Sequence, residues 1–201
     1  DARGCDTSLT IDVYEAPPVS VAVQTFRDVR CFNACDGMIR LTGNGGFLPY
    51  QFSIDGVNFQ SIDSFNALCN NTYTITIKDR KGCTSTVSQT LAQPTALNID
   101  TTNIIAPTCN LGSNGSVTVI ASGGTPGYAY TFDYILPVQL SGNFNPVSSG
   151  LHTFIAADLN GCIDSIRVNV PSPPATSTLD TNKIDVICFG GNNGSIDLTV
   201  I

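Results

Sequence analysis

Eight cysteines and a single histidine are the residues of this 201-residue chain whose chemistry could reach beyond packing. Cysteine offers a disulfide, a metal ligand or a nucleophile, and histidine a general base. The cysteines are periodic. Cys31, Cys109 and Cys188 each stand a few residues before Asp36-Gly37, Asn114-Gly115 or Asn193-Gly194, at intervals of 78 and 79 residues. Cys5, Cys83 and Cys162 each follow a glycine directly and keep the same two intervals. Two registers with one period indicate tandem copies of one module. Zinc would need a second close pair of ligands, and only Cys31-x3-Cys35 has that spacing. His152 overlays Tyr73 of the preceding copy. A Ser-His-Asp triad resting on it would not recur, so the copies share no catalytic set and the chain reads as non-enzymatic.

Cys35 and Cys69 overlay Ser113 and Ser148. The two cysteines are lost together, as a bonded pair would be, which predicts a Cys35–Cys69 disulfide. The six periodic cysteines leave two schemes open. One pairs within modules, Cys31–Cys83 and Cys109–Cys162, with Cys5 and Cys188 bonded to partners outside the window. The other pairs across linkers, as Cys5–Cys31, Cys83–Cys109 and Cys162–Cys188. We prefer the first, because a disulfide needs Cα atoms within about 7 Å and loops on separate modules are poorly placed for that. No cofactor is implied. Calcium is the one cation that the acidic turns at Asp36, Asp55, Asp79, Asp133 and Asp158 would invite, although Asp also serves turns by bonding its own backbone.

These residues must be positioned by β-structure. Apolar residues make up 42 % of the chain and charged residues only 12 %, leaving Thr, Ser, Asn and Gly to face solvent. Ile39 and Leu41 overlay Val117 and Val119, and Ile196 and Leu198 repeat them, in the period-2 alternation of a half-buried strand. Gly45-Gly46 and Gly123-Gly124 close that strand with a turn needing positive φ. Tyr50, Phe52 and Ile54 then match Tyr128, Tyr130 and Phe132, and Tyr73, Ile75 and Ile77 match His152, Phe154 and Ala156. Strands also precede each Cys-bearing loop and follow Gly82-Cys83 and Gly161-Cys162. Six or seven short strands joined by Gly, Asn and Pro turns predict an all-β fold, a tandem array of antiparallel immunoglobulin- or fibronectin-III-like β-sandwich modules. Proline-marked linkers at Ala16-Pro17-Pro18, Gln93-Pro94 and Pro171-Ser-Pro173-Pro174 would make the array a semi-rigid rod. The period divides the chain into the last strand of a preceding repeat (1–17), two complete repeats (18–94 and 95–173) and the opening of another (174–201).

A net charge of −7 with nine Lys plus Arg argues against nucleic acid as a partner. No stretch approaches the 18 or so apolar residues of a membrane helix, so membrane insertion is not expected. Cysteines at structural turns favour an oxidising, extracytoplasmic setting.

The run Cys109-x4-Asn114-Gly115-Ser116-Val-Thr-Val, then Ser122-Gly-Gly-Thr-Pro126 and Tyr128-x-Tyr130, resembles the SprB repeat, as do Tyr73 to Asp79, Gly82-Cys83 and Gln93-Pro94. The family usually has Trp in the aromatic strand, where this chain has Phe52 and Tyr130. The resemblance implies a very large, outer-membrane-associated cell-surface adhesin of gliding Bacteroidetes, exported by type IX secretion. It would be extracellular, with surfaces or polysaccharide, neighbouring repeats and the motility or secretion machinery as partners. Spacer repeats of a secreted type IX-exported enzyme, or a glycan-binding module, are the alternatives. Asp100-Thr101-Thr102 and Asp164-Ser165-Ile166 resemble an O-glycosylation sequence of the same bacteria, which marks Thr101 and Ser165. Apolar residues at variable positions, Phe47-Leu48 among them, fit a plug at the end of a sandwich better than a contact loop, which is the other reading.

Overall fold

The computed structural model describes every residue except 1–3, 5, 7, 136, 176–178 and 201. The described residues form strands and no helix, so none of them builds a helix long and apolar enough to cross a membrane. The chain divides into two units, residues 1–96 and 97–201.

In the first unit the strands are β1 (Ser20–Arg27), β2 (Gly37–Asn44), β3 (Gln51–Ser53), β4 (Ser64–Leu68), β5 (Asn71–Lys78) and β6 (Thr84–Leu91). They form two antiparallel sheets, ordered β1-β2-β4 and β3-β5-β6. The second unit repeats this with β7 (Asn98–Ile105), β8 (Gly115–Ser122), β9 (Ala129–Phe132), β10 (Asn143–Val147), β11 (Gly150–Ala157) and β12 (Ile163–Val170). Its sheets run β10-β8-β7 and β12-β11-β9. Strands that cross from one sheet to the other in this order build the immunoglobulin-like sandwich. A last hairpin pairs β13 (Leu179–Ile184) with β14 (Ser195–Val200).

Alternation decides which side chains fill the sandwiches. Ile39, Leu41, Ile75 and Ile77 lie between the sheets of the first unit and are 0–1 % exposed, while Arg40 and Thr76 between them point away. Val117, Val119, Phe154 and Ala156 do the same in the second. The edge strands depart from simple alternation at matching places. β1 breaks register between Val23 and Thr25, and β7 between Thr101 and Asn103. β4 and β10 bury residues three apart, Phe65 with Leu68 and Phe144 with Val147, because register also slips in their pairing with β2 and β8. That spacing hides both strands from a period-2 reading.

The paired glycines are required by backbone and by crowding. Gly46 and Gly124 have φ of 58° and 57°. A Cβ there would come 2.7 Å from Asp79 Oδ2 or 2.6 Å from Asp158 Oδ2. Tyr50 and Tyr128 donate from their hydroxyls to the carbonyls of Gly45 and Gly123, holding each turn down. Gly124→Ala is expected to destabilise the second unit by roughly 2–3 kcal/mol, combining left-handed strain with a displaced carboxylate. Chemical denaturation of the chain would measure it, and an unchanged midpoint would refute the account.

Candidate functional site

Each sandwich has two ends, and the side chains with chemistry sort between them. One end carries the Gly-Gly turn and the β5–β6 or β11–β12 turn. Asp79 is buried there, 4 % exposed. Its Oδ2 accepts from the Phe47 N–H at 3.0 Å, and its Oδ1 accepts from Lys81 and Cys83 N–H at 2.9 Å each. Burial would raise its pKa, but those backbone donors outweigh it and hold the carboxyl below its ordinary value. Asp158 makes the same three bonds, to the N–H groups of Thr125, Asn160 and Cys162. A carboxylate thus clamps two turns together in each repeat. The period-keeping Cys83 and Cys162 each supply a main-chain donor to it.

The opposite end carries the β1–β2 loop and its copies. Its turn recurs three times, with Ala34, Gly112 and Gly191 donating to the carbonyls of Cys31, Cys109 and Cys188 at 2.9–3.0 Å. Asp36, Asn114 and Asn193 then each accept from the backbone six residues earlier, at Arg30, Thr108 and Ile187. The Asn-Gly pairs are therefore loop clamps.

Cys35 and Cys69 are joined by a disulfide at this end of the first unit. Cys31 and Cys162 are each disulfide-bonded as well, while Cys83, Cys109 and Cys188 are exposed free thiols. The expected Cys31–Cys83 and Cys109–Cys162 bonds are therefore not formed. The reason is geometric. Cys31 lies in the β1–β2 loop and Cys83 in the β5–β6 turn, at opposite ends of one sandwich. Eight-residue strands separate them by about 26 Å, far beyond disulfide reach. Cys109 and Cys162 stand in the same relation in the second unit. The alternative pairs Cys83–Cys109 and Cys162–Cys188 are equally absent, since Cys83, Cys109 and Cys188 are thiols. Cys5 lies outside the described residues.

Where the first unit has its disulfide, the second has a polar network that the sequence alone did not reveal. His152 Nδ1 lies 2.6 Å from Asp133 Oδ2, and its Nε2 lies 2.9 Å from the Ser148 carbonyl and 3.2 Å from Ser148 Oγ. Ser, His and Asp in this order have the contacts of a hydrolytic triad. Here, however, Nε2 faces the serine's own carbonyl, and Tyr73 donates to the matching Cys69 carbonyl at 3.0 Å in the first unit. The shared role is to hold the corner between two strands. The signal was the joint change of Cys35, Cys69 and Tyr73 to Ser113, Ser148 and His152. Burial is the largest influence on Asp133 and raises its pKa, but the hydrogen bonds from His152 and the Thr153 N–H, with the His152 charge, together outweigh it and leave the carboxyl below its usual value. With the folded value depressed, this contact stabilises above the unfolded carboxylate pKa of about 3.9 and is lost as pH falls below it. Acid should therefore weaken the second unit more in the natural chain than in His152→Gln. Urea midpoints at neutral and acid pH, equal in their fall for both chains, would count against this.

The remaining acidic turns also serve their own backbone. Asp55 accepts from Val57 and Asn58 N–H, which hold its carboxyl far below the usual value. Asp36 is lowered first by the Arg30 guanidinium, 2.6 Å away. Among the described residues, no three His, Cys, Asp or Glu side chains gather as a metal site. Thr101 is half-buried in β7, and Ser165 is exposed in β12. Phe47 and Leu48 are exposed beyond the Gly-Gly turn.

The SprB repeat family matches residues 23–59, 100–133 and 181–200. Among solved structures, a C-terminal fragment of intimin, in complex with the intimin-binding domain of its translocated receptor, is similar at 14 % identity. The match covers 84 % of this chain and 67 % of that one, with a TM-score of 0.39. Fibronectin(III)-like modules of CbhA from Clostridium thermocellum are similar at 12 % identity, over 75 % of this chain and 94 % of that one, with a TM-score of 0.34. No curated protein matches the chain.

Proposed function

The chain carries SprB repeats, and from that premise we propose that it is a non-enzymatic segment of a large extracellular adhesin at the cell surface. In this reading the repeats lengthen the reach of the parent protein, and many weak contacts to surfaces or polysaccharide add up to firm attachment through avidity. Such attachment would serve gliding, and export would follow the type IX route. The observation that carries the proposal is the identity of purpose among the recurring side chains. The Asp79 and Asp158 clamps and the Asp36, Asn114 and Asn193 loop bonds all act on the chain's own backbone. What copying multiplies is therefore architecture. Antibody raised against this segment should label intact cells, and cells lacking it should attach poorly to polysaccharide-coated glass and glide more slowly. Unlabelled intact cells with normal attachment would overturn the proposal.

A further inference from the structure

We propose that the hollow beside the β5–β6 turn of the first repeat binds an anionic saccharide, with uronic-acid carboxylates as the groups recognised. The assignment takes the outward-facing surface segment of the previous section as its setting, but the site is argued from its own charges. The chain has sixteen acidic and nine basic residues. Arg30, Arg40 and Lys183 are matched to Asp36, Asp63 and Asp185 at 2.6, 3.2 and 3.2 Å. The guanidinium of Arg27 donates to the Asp36 carbonyl at 2.7 Å. Arg167 in β12 has no such carboxylate among the described residues but stands alone, whereas Lys78, Arg80 and Lys81 stand together. Three cations fall within four residues, and among the described residues no carboxylate pairs with any of them. The one acid in the run, Asp79, is buried and held by main-chain donors.

These cations border a hollow of about 490 Å³ that Pro49, Gln51 and Ser61 also line. That volume lies within the ~300–1,000 Å³ usual for small-ligand sites. Among the described residues the side chains of Gln51 and Ser61 have no hydrogen-bond partner, so an amide and a hydroxyl are available for sugar hydroxyls. Lys78 Nζ sits 3.9 Å from the Phe59 ring centroid, which fixes one cation at the rim. The turn itself does not need these charges. The second repeat folds the same turn with Ala157, Leu159 and Asn160 in their places. Like charges held side by side repel one another, and an anionic ligand relieves that repulsion.

The surroundings favour a saccharide over other polyanions. The Gln51 amide and Ser61 hydroxyl beside the cations suit a ligand rich in hydroxyls, which each uronic residue supplies and a phosphate track does not. The face of Phe59 is already covered by Lys78, which removes it as a platform for base stacking.

Calorimetric titration of the whole chain with oligogalacturonate, neutral dextran oligomers, dextran sulfate oligomers, inorganic sulfate and phosphatidylglycerol vesicles tests the site. Oligogalacturonate should bind, more weakly as salt rises, and neutral dextran should not. The triple variant Lys78→Gln, Arg80→Gln, Lys81→Gln should weaken binding roughly 30- to 100-fold, since each exposed charge pair accounts for up to about fivefold. Gln51→Ala with Ser61→Ala should weaken oligogalacturonate several-fold and leave inorganic sulfate unaffected. Melting curves should show each variant folded, because the Asp79 bonds go to backbone. Absence of oligogalacturonate binding, equal binding by the triple variant, or stronger binding of vesicles, sulfate or dextran sulfate than of oligogalacturonate would overturn the assignment. None of these results bears on whether intact cells display the segment, so the two proposals fail separately.

Discussion

Phe154→Ala is expected to lower the stability of the second repeat by roughly 3–5 kcal/mol, most of what a domain of this size possesses. Phe154 is fully buried in β11, with ring centroids of Phe144 at 5.0 Å and Phe132 at 5.8 Å. Truncation removes the centre of this three-ring cluster and leaves a cavity that rigid sheets on both sides cannot close. At about 4–8 °C per kcal/mol for a domain this small, the melting midpoint of the second repeat should fall by roughly 12 °C or more. The first repeat has Ile75 at the equivalent place, in a separate core, and serves as an internal reference. Differential scanning calorimetry would show one transition moving and the other staying. Two transitions shifting together, or neither, would contradict the picture of two separately packed cores.

The second large effect falls on the other repeat. Replacing Cys35 and Cys69 together by serine makes the first repeat resemble the second at those positions. The disulfide spans 34 residues, and chain-entropy reasoning gives it up to about 4 kcal/mol. The same calorimetric trace should now show the first repeat falling, by as much as 15–30 °C, with the second unmoved. The second repeat is expected to tolerate serines because Ser148 lies within the His152–Asp133 network and Phe132, Phe144 and Phe154 stack nearby. Ile54, Phe65 and Ile75 occupy the matching places in the first core. The two repeats therefore reach one fold with different fastenings. A double variant that melts like the natural chain would mean that the bond fastens nothing.

Much of this was legible because copies comment on one another. The overlay of Ile39 and Leu41 on Val117 and Val119 exposed the strand period, and the strands lie where it placed them. The Gly-Gly turns were legible because Gly alone fits positive φ at such a corner. β4 and β10 were not, since their buried residues stand three apart across a slipped register. The Asp79 and Asp158 clamps were read as ordinary turn residues, because nothing local tells that a carboxylate will also reach Phe47 or Thr125, more than thirty residues earlier.

Sequence by itself determined the repeat, the all-β class, the alternating cores and the loops punctuated by Asp-Gly or Asn-Gly. All of these follow from short-range spacing, and the pleat of a strand converts spacing directly into facing. Tertiary structure alone decided which cysteines could meet, what His152 does and where Lys78, Arg80 and Lys81 stand together beside a hollow. Those outcomes depend on which end of a sandwich each loop occupies. The end is set by strand order in two sheets, and a periodic list of residues carries no record of it.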